Sequence, residues 1–245
     1  MLTEPVTLQV GGFRLRGTLC LPERGRGVVF TILHGLPNSP EPVEQKGYLD
    51  LASLLTERGV SAALINLRGT GGSEGCFSLS NWVEDTEAYL RYLSSRLEGY
   101  KQYLIGFSAG GVVSIYVAAK NPNVKGVVSC SAPCVISTGA ARLLLERALA
   151  TGVIRGDGRS DYIDRVIQEA SKYAPYEWIR FIAPRPIVIA HGRSDDVVPV
   201  EQAYKLYNAA NEPKKLLLFD AGHRLRANPA DMAKIIEEAL IFFNA

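Results

Sequence analysis

Residues 99–122, G-Y-K-Q-Y-L-I-G-F-S-A-G-G-V-V-S-I-Y-V-A-A-K-N-P, contain a serine whose surroundings suit it to covalent chemistry. Tyr103, Leu104, Ile105 and Phe107 read as a short buried strand, rich in aromatic and aliphatic side chains. From Ala109 the apolar period becomes helical, and Asn121-Pro122 ends it. At the junction stands Gly106-Phe107-Ser108-Ala109-Gly110, a G-x-S-x-G. A strand that turns directly into a helix forces its corner residue into a strained conformation. Small residues two positions to either side keep the two limbs from colliding. The turn lifts the serine oxygen above a helix N-terminus and leaves the Ala109 N–H free to receive a developing oxyanion.

Other reactive patterns are weaker. Arg68-Gly69-Thr70-Gly71-Gly72-Ser73-Glu74-Gly75 follows an expected strand, but it lacks G-x-G-x-x-G spacing and a Lys-Ser/Thr pair, so no phosphate cradle is expected. Cys20, Cys76, Cys130 and Cys134 are too scattered for a disulfide framework. Cys130 and Cys134 have no second Cys/His pair close in sequence, so buried structural thiols are expected and no metal. No cofactor is expected.

A chain of 245 residues with 47% hydrophobic and 21% charged residues is long enough for one large core. Its net charge of +2 gives no case for nucleic acid or an anionic membrane as a partner. No apolar run reaches membrane-spanning length, and the first residues lack the basic and apolar regions of a secretory signal. The expected location is the cytoplasm. The sequence leaves the oligomeric state open.

The elements that must position Ser108 alternate between strand and helix, which predicts a mainly parallel sheet covered on both faces. Residues 5–10 and 13–21 alternate apolar and polar around Gly11-Gly12 and predict an edge hairpin. Strands follow at 28–33, 60–67, 103–107, 124–129, 186–190 and 215–219. Helices are expected at 49–58, 81–97, after Ala109, at 200–210 and at 229–243, with a polar, proline-rich loop over 38–46. Between Ser131 and Arg185 the alternation stops. Helices are expected at 139–150 and 161–173, with a short third element at 175–182. About fifty residues are too few for a domain of their own but enough for a lid over the carboxyl end of the sheet. We therefore expect one domain over 1–245, with a helical cap at 132–185 inserted after the sixth strand.

Four motifs lie in register at strand ends: His34-Gly35, the turn at 106–110, His191-Gly192-x-x-Asp195-x-x-Val198-Pro199, and Gly222-His223. With these the chain resembles the α/β-hydrolase family over essentially its whole length. The resemblance implies an eight-stranded, mostly parallel sheet and a catalytic order Ser…Asp…His. It makes Ser108 the nucleophile, His223 the base that takes and returns its proton, and Asp195 the carboxylate that fixes the imidazole. Adjacent residues at a strand end diverge, so only one of Asp195 and the neighbouring Asp196 can reach the imidazole, and the resemblance favours Asp195. His34 and His191 are implied to be structural. The oxyanion donors are implied to be the Ala109 and Leu36 N–H groups. His34-Gly35-Leu36-Pro37 departs from the His-Gly-Gly-Gly of lipase-type members. It is closer to compact esterases such as feruloyl and cinnamoyl esterases, and to serine aminopeptidase-like hydrolases. The implied activity is hydrolysis of small-molecule carboxylic esters through an acyl-enzyme. A peptidase or amidase, and a member that binds ligand without turnover, are the alternatives. Tyr162, Ile163, Tyr173 and Trp178 of the cap either line an apolar substrate pocket or form the cap's own core.

Overall fold

The computed structural model describes residues 1–45 and 47–245; residue 46, the last of the loop expected over 38–46, lies outside the described residues. A sheet in the order β1-β2-β4-β3-β5-β6-β7-β8 runs through the molecule. β1 (Leu2–Val10) and β2 (Phe13–Leu21) form the antiparallel edge hairpin, and β2 is also antiparallel to β4 (Ser61–Asn66). β3 (Val28–Leu33), β4, β5 (Lys101–Phe107), β6 (Val124–Cys130), β7 (Ile187–Gly192) and β8 (Lys214–Phe219) are all parallel. β3, β4 and β7 are buried at every position, as strands covered on both faces must be, whereas β1 alternates at the edge.

The period of two along β5 divides the interior. Leu104 packs with α2 (Leu79–Arg96) and α3 (Ala109–Lys120) through Trp82, Leu93 and Val113. Tyr103 and Ile105 face α1 (Tyr48–Thr56) and α8 (Pro229–Phe243), where Phe30, Tyr103 and Phe243 stack at centroid distances of 5.1–6.3 Å. α7 (Glu201–Ala209) lies between β7 and β8 in sequence and joins the first of these two cores.

Between β6 and β7 the chain carries α4 (Thr138–Ala150), α5 (Tyr162–Ala170) and the short α6 (Pro175–Trp178). The helix expected over 161–173 ends at Ala170 and tightens into a 3-10 turn over Ser171–Tyr173. α2 begins two residues before its expected start, because the Ser78 hydroxyl caps it by accepting from the Asn81 N–H at 3.0 Å. Three of the four thiols are buried as expected, while Cys76 is half-buried; all four are unpaired.

Candidate active site

Ser108 occupies the turn between β5 and α3 with φ 51 and ψ −116, a left-handed-side conformation that costs a non-glycine residue about 1–3 kcal/mol. Surrounding contacts hold it there. The Ser108 N–H donates to Cys130 O at 2.8 Å, tying the turn to β6, and its carbonyl receives the Gly111 N–H at 2.9 Å. A Cβ at Gly110 would collide with the carbonyl oxygens of Leu33 and His34, so this close crossing of α3 over the end of β3 demands glycine.

The loop after β3 comes equally near. A Cβ at Gly35 would lie 3.1 Å from Ser108 Cβ and 3.0 Å from Phe107 O. That approach brings Leu36 beside Ser108, and both line the same cavities. Neither the Leu36 nor the Ala109 N–H donates to a protein acceptor among the described residues. His34 is buried beneath this loop. Its Nδ1–H donates to Gly35 O at 2.7 Å, and its Nε2 accepts the Leu67 N–H at 3.2 Å. It braces the loop, as the sequence implied.

On the neighbouring strand end, Asp195 is the carboxylate in reach of a histidine, and Asp196 is exposed. His223 Nδ1–H donates to Asp195 Oδ2 at 2.8 Å. Asp195 Oδ1 accepts the Val197 and Val198 N–H groups at 3.0 and 2.7 Å. His191 adds a feature the sequence did not suggest: its Nε2–H donates to Val198 O at 2.8 Å and lies 3.2 Å from the same Asp195 Oδ2. Burial alone would raise the Asp195 pKa. The hydrogen bonds from His191, His223 and the Val198 N–H outweigh it and hold the carboxyl well below the usual range. Asp195 is therefore a charged, fixed acceptor. With Nδ1 committed to it, Nε2 is the His223 nitrogen left for other partners, and the side chain is 19% exposed.

Two cavities meet at Ser108. One, of about 910 Å³, is lined by His223, Gly35, Asn38 and Ser131, among others. The other, of about 380 Å³, is enclosed by Phe77, Leu79 and Val112 with Leu145, Val166 and Ile167 from α4 and α5. Leu36, Ser108, Leu144 and Val197 belong to both. The segment after β6 thus covers the serine. It is fastened at Arg155, whose N–H donates to Gly69 O and whose carbonyl receives the Phe77 N–H, at 2.8 and 2.9 Å. The four cap residues singled out in the sequence do not line either cavity. Tyr162 bonds Phe77 O through its hydroxyl, and Tyr173 and Trp178 pack on Tyr116 of α3, so these three seat the segment on the body of the domain and belong neither to a substrate pocket nor to a core of the cap alone; Ile163 faces a separate surface pocket. The apolar lining was legible as the apolar stripes of both cap helices, Leu144 and Leu145 of α4 and Val166, Ile167 and Ala170 of α5; Phe77 and Leu79 carried no signal.

Sheet order, strained serine turn and histidine–carboxylate pair together define an α/β-hydrolase. Residues 27–174 match the family Hydrolase_4, serine aminopeptidase S33, and the chain belongs to it. The chain is 25% identical over 95% of its length to the uncharacterized protein YfhR of Escherichia coli K12, covering 76% of that protein. The esterase domain of a Rhodothermus marinus protein superposes with a TM-score of 0.75 at 24% identity, over 99% of this chain and 98% of that one. Est1E of Butyrivibrio proteoclasticus, solved with ferulic acid bound, gives 0.76 at 19% identity over 96% and 98%.

Proposed function

We propose that the chain is a carboxylesterase acting through an acyl-enzyme, with Ser108 as nucleophile, His223 as general base and acid, and Asp195 as its orienting partner. The observation that carries this reading is the 2.8 Å His223–Asp195 hydrogen bond beside a cavity that His223 shares with the strained Ser108. Ser108 Oγ bonds to the ester carbonyl carbon while its proton passes to His223 Nε2. The carbonyl oxygen becomes an oxyanion held by the Leu36 and Ala109 N–H groups. Its collapse breaks the bond to the alcohol oxygen, which leaves with the proton from His223. Water then repeats the sequence on the acyl-serine, releasing the acid and restoring the serine hydroxyl. Four unpaired thiols suit a reducing compartment, and we place the protein in the cytoplasm.

The family's aminopeptidase name raises a peptidase as the rival. An aminopeptidase must hold a free ammonium on the acyl side of the scissile bond, and no lining residue of the apolar cavity is acidic. That favours the ester. The test is turnover of p-nitrophenyl acyl esters, acetate through palmitate, by wild type and Ser108→Ala. A burst followed by steady turnover, lost in the variant, is expected. Equal inactivity of both proteins on every ester would sink the carboxylesterase. Retained ligand binding without any turnover would instead indicate a binding protein.

A further inference from the structure

The two cavities differ in chemistry, and His223 gives them a direction. In the reaction proposed above, on which this inference rests, His223 must hand its proton to the leaving oxygen, so the leaving group occupies the cavity His223 lines. That is the larger one; the apolar cavity then takes the acyl chain. The larger cavity carries Arg147 from α4 together with Arg224 and Arg226, which follow His223 in sequence; among the described residues Asp196 is its sole acidic lining residue. Arg147 and Arg224 form no ion pair among the described residues, and Arg226 lies over the Tyr48 ring with its guanidinium carbon 4.7 Å from the centroid. A second observation points the same way. Ser131, at the end of β6, is held at φ 50 and 3% exposed, and its buried hydroxyl has no hydrogen-bond partner although it lines this cavity. Arginines lining one cleft attract and orient carboxylate and phosphate groups, and the unpaired Ser131 hydroxyl just beneath its wall is a further donor for the same ligand.

We infer that the substrate is an ester or thioester of an apolar acyl group with an anionic alcohol or thiol, its carboxylate or phosphate held by Arg147, Arg224 and Arg226. The charge belongs on the leaving side alone. An acyl chain ending in a carboxylate would meet a cavity without a charged lining residue.

The experiment compares four aryl esters. Three are hexanoates, of 3-hydroxybenzamide, of 3-hydroxybenzoate and of 3-hydroxyphenyl phosphate; the fourth is the adipate monoester of 3-hydroxybenzamide. At low salt, kcat/KM for at least one anionic leaving group should exceed that for the neutral hexanoate by about ten- to a hundredfold, and the excess should shrink as salt rises. The larger excess tells whether carboxylate or phosphate is the better fit. The adipate monoester should fall below the neutral hexanoate. In Arg147→Gln/Arg224→Gln the ratio of anionic to neutral ester should approach one. Arg142→Gln, which removes an exposed α4 arginine paired with Asp164 outside the cavity, should keep it. A wild-type ratio near one, or an equal gain from charge on the acyl side, overturns the inference while leaving the esterase standing. If wild type cleaves none of the four, the esterase reading falls, and binding decides the inference. Ser108→Ala titrated calorimetrically should bind 3-hydroxybenzoate or 3-hydroxyphenyl phosphate at least tenfold tighter than 3-hydroxybenzamide; equal binding overturns it.

Discussion

Two buried carboxylates fasten loops at the carboxyl end of the sheet, and they are held in opposite ways. Asp85 of α2 grips Arg68, just past β4: its oxygens accept the Arg68 N–H at 2.7 Å and the Arg68 Nε–H at 2.5 Å. Both side chains are almost wholly buried. Burial pushes the Asp85 carboxyl up to about 6, and the bonds from Arg68 reverse only part of that. Asp195, its side chain also closed to solvent but set less deeply in the protein, is surrounded by two backbone N–H groups and two imidazoles, and it stays well below the ordinary range. The difference lies in the number and placement of donors. Two donors from one residue, its backbone N–H and its guanidinium, pin a loop; four donors from three directions keep a charge intact inside the protein. Only the second arrangement passes its charge on, through His223, to a cavity. One carboxylate is a fastener, and the other orients the imidazole that the proposed mechanism uses as its base.

The largest effect that tests this contrast is on activity. Asp195→Asn should lower kcat/KM on a p-nitrophenyl ester by about 10⁴-fold, because the amide no longer fixes the imidazole tautomer. A loss under tenfold would mean that Asp195 is a fastener too. Next in size, Asp85→Ala should cost about 3 kcal/mol in urea unfolding, since the buried Arg68 loses its buried partner and keeps only the half-exposed Glu84 carboxylate and the Asn81 carbonyl. The activity of the fraction that remains folded should be unchanged, and a selective loss of kcat would break the division of labour.

The pH dependence of stability should separate the two groups by sign. The folded pKa of Asp85 is raised, so the protein should lose stability as pH climbs from about 4 to about 6, by roughly 2–3 kcal/mol from this group. Asp195 is depressed in the folded state. Its contribution is complete above the unfolded carboxylate pKa and disappears as the pH falls below it. Unfolding curves of Asp85→Asn should therefore flatten over the upper window, and those of Asp195→Asn on the acid side. The smallest expected change is at His191. Replacing it by Phe removes one donor from Asp195 Oδ2 and one from Val198 O, and should lower kcat by about tenfold, as loss of a hydrogen bond to a charged group would. No change would make His191 a spectator of the pair.

Much of this arrangement was legible before any coordinates. Strands covered on both faces appear in sequence as continuous apolar runs, as in Val28–Leu33, and the switch from strand to helix around Ser108 marks itself through glycine spacing. Histidine and aspartate at strand ends followed from the family resemblance. What stayed hidden depends on meetings between residues far apart in the chain. Nothing in the spacing of Arg147, Arg224 and Arg226 says that they share a cavity, and nothing near Phe77 says that it walls the apolar one. His191 looked like a second brace of the His34 kind, and its approach to Asp195 needs the loop 193–198 folded back on itself. The aromatic residues of the cap carried the wrong emphasis, because Tyr173 and Trp178 seat the segment on Tyr116 of α3 and leave the cavity wall to the aliphatic side chains of α4 and α5.

The adjacency of β3, β5 and β6 in the sheet has one more consequence. Leu36, Ser108 and Ser131 are distant in sequence, yet each stands at the end of one of three neighbouring strands. The interval between them is therefore set by the hydrogen-bonded spacing of the sheet, about 4.8 Å per strand. It is a ruler made of backbone. Insertions in the loops joining these strands, or exchange of the whole segment between β6 and β7, leave that ruler unchanged. The scaffold can be given a new covering, and new tastes in substrate, without its reactive distances having to be found again.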